Sequence, residues 1–424
     1  MATDTPRNPA GPTPLWASLS YVFLASVGTG VATAGVYFVA ESAFHFGAFR
    51  NFALAAVFGT LYVPGALGVG PALRRACARW GWLSPRGALG GLMVALGALC
   101  LLPALFASTA TGQGEWTIWV IAGASGILGG AQWPIAESYV TGGRRGGDLR
   151  SATGRFNIVW SSSLVLTLWG IAPLVMDRPL DVLTALAGVY AVAALSVLAL
   201  PAYPARHLPD PHGPVPPDYR PLLRIFRLQL PVSFMVVAVV EPFLPTALSA
   251  IAVEPAWKTP AAATWMTTRV GAFILLERWH GWHGRWWMTS LPAAAMLAGF
   301  GLSAAAPLIG PQWGLLTLLT GLGLFGLAIG AIYHAAFHYA MEVGEAEVDA
   351  AGVHESLIGA GYTLGPACGL TLWWLAGAGL LDESRLEGAL VVVVCVLAAG
   401  LMIGGAVPAV RARWRGRGAL AGDR

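Results

Sequence analysis

A dozen apolar runs, each about 20 residues long, follow one another along this chain with only short breaks between them. They fall at about 15–40, 51–70, 87–108, 116–140, 150–175 and 180–202, then at about 229–252, 260–279, 287–309, 312–341, 351–379 and 386–410. A helix needs about 20 apolar residues to cross a hydrocarbon core about 30 Å thick, so each run is long enough for one crossing. Composition agrees. Charged residues make up 11% of the 424, against about 25% in soluble domains. A soluble surface could not be covered with so few charges. This excludes a soluble enzyme, a disordered chain and a disulfide scaffold. Four cysteines (Cys77, Cys100, Cys368, Cys395) have neither CxxC nor secreted-domain spacing, so no metal knuckle or disulfide framework is expected.

The run of spans is interrupted once, by Pro204–Arg227, which holds seven prolines and no long apolar stretch. Proline lacks a backbone donor, so such a stretch cannot cross lipid as a helix. The expected organisation is a polar tail (1–14), a first set of spans (15–203), a linker (204–227), a second set (228–410) and a basic tail (411–424). A short amphipathic helix is expected at Leu222–Leu230. The fold class is an all-α membrane protein of twelve transmembrane helices in two six-helix pseudo-symmetric bundles. With both termini inside, the inner segments carry 20 basic residues and the outer ones four, Arg50, Arg178, Lys258 and Arg385. That asymmetry follows the positive-inside rule and places the linker in the cytoplasm. It also accounts for the basic residues without any nucleic-acid partner. Trp279, Trp282, Trp286 and Trp287 read as an interfacial belt.

The two halves match each other at an offset of 200. Gly123, Gly126, Gly130, Ala131, Ala136, Tyr139, Ile158 and Leu164 find their like in Gly323, Gly326, Gly330, Ala331, Ala336, Tyr339, Ile358 and Leu364. Trp133 falls on Tyr333. Parallel repeats of this kind place a solute path at their interface, near the midplane. Six spans, a cytoplasmic linker and six spans, with both ends inside, resemble the major facilitator superfamily. The loop after span two, "GPALRRACARWGWLSPR", is similar to that family's basic loop in keeping Gly70 and the arginines, though it lacks the Asp. Span eleven holds "GYTLGPACG" (Gly361, Gly365, Pro366, Gly369), similar to a Gly-rich motif that antiporters of the family carry in span five. The resemblance implies a twelve-span secondary transporter.

Polar groups inside the spans are costly, so they mark candidate sites. Thr29, Thr33, Tyr37 and Glu41 recur every four residues in span one, which places them on one helical face as a wall of the path or as interhelical hydrogen bonders. Glu241 in span seven and Arg269 in span eight are an opposite-charge pair at mid-depth. They form either the coupling element or an inert salt bridge. Pro242 and Pro245 free carbonyls beside Glu241 and favour a bend there. Glu137 near the end of span four faces Arg155 and Asn157 at the start of span five. The reverse arrangement is expected in the second half, with His338 or His354 near Glu355. These six form a cytoplasmic gate or clamp. His334 and His338, four apart on span ten, could relay protons, hold a metal, or sit as buried hydrogen-bonded side chains.

The expected function is a secondary active transporter of a small solute by alternating access, coupled to protons through Glu241, Glu137 or the histidines. The alternatives are an intramembrane enzyme built on His334, His338, His354 and Glu355, and a membrane sensor or scaffold. No G-x-x-x-x-G-K-[ST] sequence occurs, which argues against ATP-driven transport. No cofactor and no resident metal are expected, and the unit is expected to work as a monomer in the lipid bilayer. Of 25 basic residues only Lys258 is not Arg. That bias points to a GC-rich genome and hence to a bacterial inner membrane.

Overall fold

A computed structural model of the chain describes residues 11–108, 111, 113–206, 216–343, 348–382 and 385–422. Long helices account for nearly all of them. The elements are α1 (Leu15–Phe44), α2 (Ala48–Arg79), α3 (Pro85–Phe106), α4 (Trp116–Thr141), α5 (Gly146–Asp177) and α6 (Asp181–Ala199). There follow α7 (Tyr219–Ala250), α8 (Pro255–Ala262), α9 (Thr264–Arg278), α10 (Trp287–Ile309), α11 (Pro311–Glu342), α12 (Val348–Gly377) and α13 (Leu386–Gly422). Helix is the expected outcome, because each span must satisfy its own backbone donors and acceptors in lipid. Local chemistry sets several ends. Ser84 caps α3, its Oγ accepting from the Gly87 amide at 3.1 Å, with Pro85 at the first helical position. α1 ends where His45 turns left-handed at φ 56°.

Ten helices among the described residues are long and apolar enough to cross a membrane. The expected spans at 260–279 and 351–379 are helical but fall short of that description. The first is divided at Ala263, between α8 and the 15-residue α9. The second, α12, is diluted by glycines, His354 and Glu355. The linker also differs from expectation. α7 starts at Tyr219 and runs unbroken through Pro231, Pro242 and Pro245, so the separate helix expected at Leu222–Leu230 is its first turns. Residues 207–215 of the linker and 1–10 of the N-terminal tail lie outside the described residues. The basic tail continues α13 up to Gly422.

The internal repeat is a repeat of packing. In the first half α2 lies on α4, α1 on α5 and α6, and α3 on α6. In the second half α9 lies on α11, α7 on α12 and α13, and α10 on α13. The matched glycines explain this. A Cβ on Gly126 would strike the Phe58 carbonyl of α2, and one on Gly130 the Tyr62 carbonyl. A Cβ on Gly326 would strike the Trp265 carbonyl of α9, and one on Gly330 would meet Ala272 and the Arg269 carbonyl at 3.1 Å. Small residues let helix backbones approach, and in lipid that contact drives association. Phe58 and Tyr62 thus occupy the places that Trp265 and Arg269 hold in the second half. Their spacing is 207 rather than 200, so a single gapless offset cannot pair them.

The sets meet most extensively where α2 lies on α12, with further contacts of α5 on α9 and α8, α4 on α12 and α2 on α7. Glycine again permits the first, since Gly59 sits on the Tyr362 backbone and Gly359 on Tyr62 and Val63.

Candidate functional site

A cavity of about 650 Å³, its open mouth included, lies where the two sets meet. α1 contributes Gly28, Thr29, Ala32 and Thr33, and α4 contributes Ser125, Gly129, Gln132 and Trp133. α2 and α5 supply Phe58, Tyr62, Phe156 and Trp160, and the second half supplies Phe234, Tyr333, Glu355, Ile358 and Tyr362. Leu96 and Tyr190 complete the wall. Glu355 is the sole charged residue among the described lining residues.

Nine of the 19 lining residues are aromatic. Phe58 meets Tyr362 edge-on at 5.4 Å, Phe234 meets Tyr362 at 5.4 Å, and Trp160 meets Tyr333 at 5.5 Å. Trp133 packs on Phe156 at 6.2 Å. Apolar walls with a few convergent polar groups are typical of small-molecule sites.

The polar centre of this cavity is Glu355. Tyr62 donates a hydrogen bond to Glu355, and Glu137 stands behind it, close enough for the two acids to act on one another. All three residues are buried. This corrects the expected Glu137–Arg155 pair. Arg155 points to the exposed side of α5 near Glu277, and no ion pair joins it to Glu137. The reason is geometric. α4 packs on α12, which carries Glu355 into reach of Glu137, whereas Arg155 turns outward on α5.

Glu241 and Arg269 are each 2% exposed and close enough to act on one another as charges, yet no ion pair joins them. Neither carboxylate oxygen of Glu241 has a hydrogen-bond partner. Arg269 donates from Nε to Ser161 Oγ at 2.9 Å, and its guanidinium lies 4.4 Å from the Trp160 ring and 4.6 Å from Trp265. Cation–π contact on two rings takes the place of the expected salt bridge. Neither residue lines the cavity, though Trp160 separates Arg269 from it.

The polar stripe of span one is divided by a π segment at Val31–Gly35. Its extra residue shifts the helical phase, so the four-residue spacing no longer holds one face. Thr29 and Thr33 line the cavity, with Thr33 Oγ1 donating to the Thr29 carbonyl at 3.0 Å. Tyr37 is buried close to Glu241. Glu41 belongs to the arginine-poor end, where it pairs with Lys258 at 3.6 Å and accepts from Ser249 at 3.0 Å.

The histidines form a second site, at the arginine-rich end. A pocket of about 450 Å³, its open mouth included, is lined by His334 and His338 of α11, His280 and His283 of the turn between α9 and α10, and Arg150, Asn157 and Glu277. His283 stacks on His338 with ring centroids 4.2 Å apart. Burial, His280 and Arg150 push His283 down from 6.5 to about 4. Asn157 accepts from Trp160 Nε1 at 3.3 Å. His354 lies apart, edge-on to Tyr333 and Phe337. His334, His338, His354 and Glu355 therefore do not converge, and no metal-holding group occurs among the described residues. Of the four tryptophans expected in a belt, Trp279 and Trp287 are exposed and stacked, whereas Trp282 is fully buried and donates to the Leu276 carbonyl at 3.1 Å.

Tyr62, Tyr362, Gln132 and the aromatic walls were not singled out by the sequence. The glycine faces of α4 and α11 were the available signal, because they name the α2 and α9 residues that face them.

No family model and no curated protein sequence matches the chain. Solved structures do. The nucleoside transporter NupG and a point mutant of it are each 13% identical with a TM-score of 0.62. The mutant structure aligns over 94% of this chain and 98% of its own. A bacterial homolog of the human lysosomal transporter Spinster, in an inward-facing and occupied conformation, is 15% identical with a TM-score of 0.59, over 92% of this chain and 96% of its own. These neighbours are membrane transporters of one fold, matched here over nearly the whole chain: the protein has the major facilitator superfamily fold and is an integral multi-pass membrane protein.

Proposed function

We propose that the chain is a secondary transporter that carries a small solute through the central cavity by alternating access, driven by protons. The carrying observation is the cavity itself. It is walled by residues of both sets of spans, with the buried acid Glu355 in its wall and no nucleotide-binding loop anywhere in the sequence. Twelve spans in two six-helix bundles, 15–203 and 228–410, with linker 204–227 and both tails cytoplasmic, are the architecture this reading requires. Ten apolar helices and the repeated packing support it. The setting is a bacterial inner membrane, and the unit a monomer, since the cavity is complete within one chain.

Two acidic elements can hold the coupling proton. The Glu137–Glu355 pair lies at the solute cavity, so solute and proton would compete directly. Glu241 stands beside Arg269, so a movement separating α7 from α9 would change its proton affinity. Glu241→Gln keeps shape and removes charge. Loss of proton-driven accumulation in Glu241→Gln, with solute exchange intact, would assign the coupling to Glu241.

The test begins with purified protein and a thermal-shift panel of nucleosides, sugars, amino acids, carboxylates and organic cations. The NupG likeness puts uridine in that panel. Compounds that bind are then assayed for counterflow in proteoliposomes. Binding and counterflow should both disappear in Ser125→Trp, which fills the cavity from α4. Counterflow undiminished in Ser125→Trp would reject the cavity as the path.

A further inference from the structure

We infer that the pocket lined by the histidines binds a small oxyanion, of sulfate, phosphate or carboxylate type, held by Arg150 and by an imidazole that takes up a proton as the anion enters. The binding step owes nothing to the central cavity. Only its effect on the cycle rests on the transporter reading.

Hydrogen bonding comes first. Asn157, His334 and His338 line this pocket and are each at least nine-tenths buried. Each keeps one side-chain nitrogen without a partner: Nδ2 of Asn157, Nδ1 of His334 and Nε2 of His338. Asn157 Oδ1 already accepts from Trp160 Nε1, so the group left over on Asn157 is a donor. An imidazole donates from both nitrogens once it is protonated. Buried polar atoms are rarely left unpaired, and three on one wall suit a ligand rich in acceptors.

Charge selects the kind of acceptor. Arg150 lies on the wall, half exposed, and meets Glu342 of α11 through Nε at 3.5 Å. A guanidinium matches the planar edge of an oxyanion. Imidazoles also suit a transition metal, but a metal cation would stand beside Arg150 and could use neither it nor Asn157 Nδ2. No metal-holding group occurs among the described residues. Glu277 is the one carboxylate on the wall among those residues, and Arg150, Arg155 and His280 all act on it as opposing charges. Tyr219 of α7 closes the far side, edge-on to His338.

His283 stacks on His338 at 4.2 Å, so two charged rings there would repel. Burial, His280 and Arg150 hold His283 down at about 4 while the pocket is empty of anions. A bound oxyanion reverses the local field, and His283 then gains a proton from water. Arg150, Thr153, Gly154 and Asn157 belong to α5 of the first half, the histidines to the second half. A bound anion therefore ties the halves at the arginine-rich end and favours closure there.

Titration calorimetry of the purified chain tests the binding. Sulfate is the probe, because its charge is constant around neutral pH. It should saturate one site with a Kd of about 1 mM or below, with phosphate and acetate competing and chloride not. Affinity should fall by up to about tenfold per unit as pH rises from about 5 to 7, since one proton enters with the anion. Arg150→Gln should weaken sulfate by about tenfold or more. Glu277→Gln should strengthen it, and this decides the sign if Arg150→Gln fails to fold, because a bound cation would be weakened instead. No saturable sulfate binding, Zn²⁺ bound in its place, or a sulfate affinity independent of pH overturns the inference. Lipid discs separate the sources. Sulfate binding lost in phosphatidylglycerol but kept in phosphatidylcholine assigns the oxyanion to a lipid headgroup, and binding kept in both assigns it to a free anion. Sulfate should also lower labelling of Ser125→Cys, in a background lacking the four native cysteines, from the arginine-rich side. Binding without that change leaves the site and overturns its effect on closure. If sulfate binds and no solute shows counterflow, the site stands and the transporter reading falls.

Discussion

Tyr62 and Glu355 come from two helices and meet in one buried hydrogen bond, with Glu137 of a third helix beside them, which makes each sensitive to small changes. Tyr62→Phe deletes a hydrogen bond to a carboxyl group. Such bonds contribute about 1.5–3 kcal/mol, so the apparent unfolding temperature of the purified protein should drop by several degrees. A change within error would mean that Tyr62 does not bond Glu355. Arg269 depends on its planar shape as well as its charge, because it lies between the Trp160 and Trp265 rings. Arg269→Lys retains the charge and should still cost about 1–2 kcal/mol in a thermal melt. His283 gives a pH dependence with a definite sign. The unfolded chain takes up its proton near pH 6.5, whereas the folded protein resists until about 4. Stability should therefore fall as pH falls through that window. His283→Gln should flatten the decline between melts at pH 7 and pH 5, and an unchanged slope would place the acid sensitivity elsewhere.

Among the helices, the glycine faces of α4 and α11 decide how closely neighbours approach. A side chain at Gly126 or Gly326 meets a backbone carbonyl, which cannot move aside as a flexible side chain could. Gly126→Val and Gly326→Val should each destabilise by about 1–3 kcal/mol or prevent folding, read by thermal unfolding or by yield of monodisperse protein. Gly271 on α9 has open space around it, so Gly271→Ala should leave stability unchanged or raise it by about 1 kcal/mol through helix propensity. Equal behaviour of all three would remove the packing explanation of the repeat.

Across the molecule, among the described residues, one ion pair spans the two sets of helices at each end of the cavity. Lys258 pairs with Glu41 at the arginine-poor end, and Arg150 with Glu342 at 3.5 Å at the arginine-rich end. In an alternating-access cycle each would favour closure on its own side. Lys258→Ala and Arg150→Ala should then shift the labelling of Ser125→Cys, in a background lacking the four native cysteines, in opposite directions for a reagent confined to one side. Shifts in the same direction would reject the two pairs as opposing clasps. The helical membrane class and the approximate spans were legible in the residues alone. So was the repeat between α4–α5 and α11–α12, because lipid imposes one apolar length and one backbone solution on every crossing. Which polar residues meet was set by packing. Sequence spacing put Glu137 against Arg155, yet α4 packs on α12 and delivers Glu137 to Glu355. A regular helix would keep Tyr37 and Glu41 in line with Thr29, and one π turn divides them. Partners as far apart in the chain as Glu137 and Glu355 are chosen by close helix contact in three dimensions, and no local period along the chain records that choice.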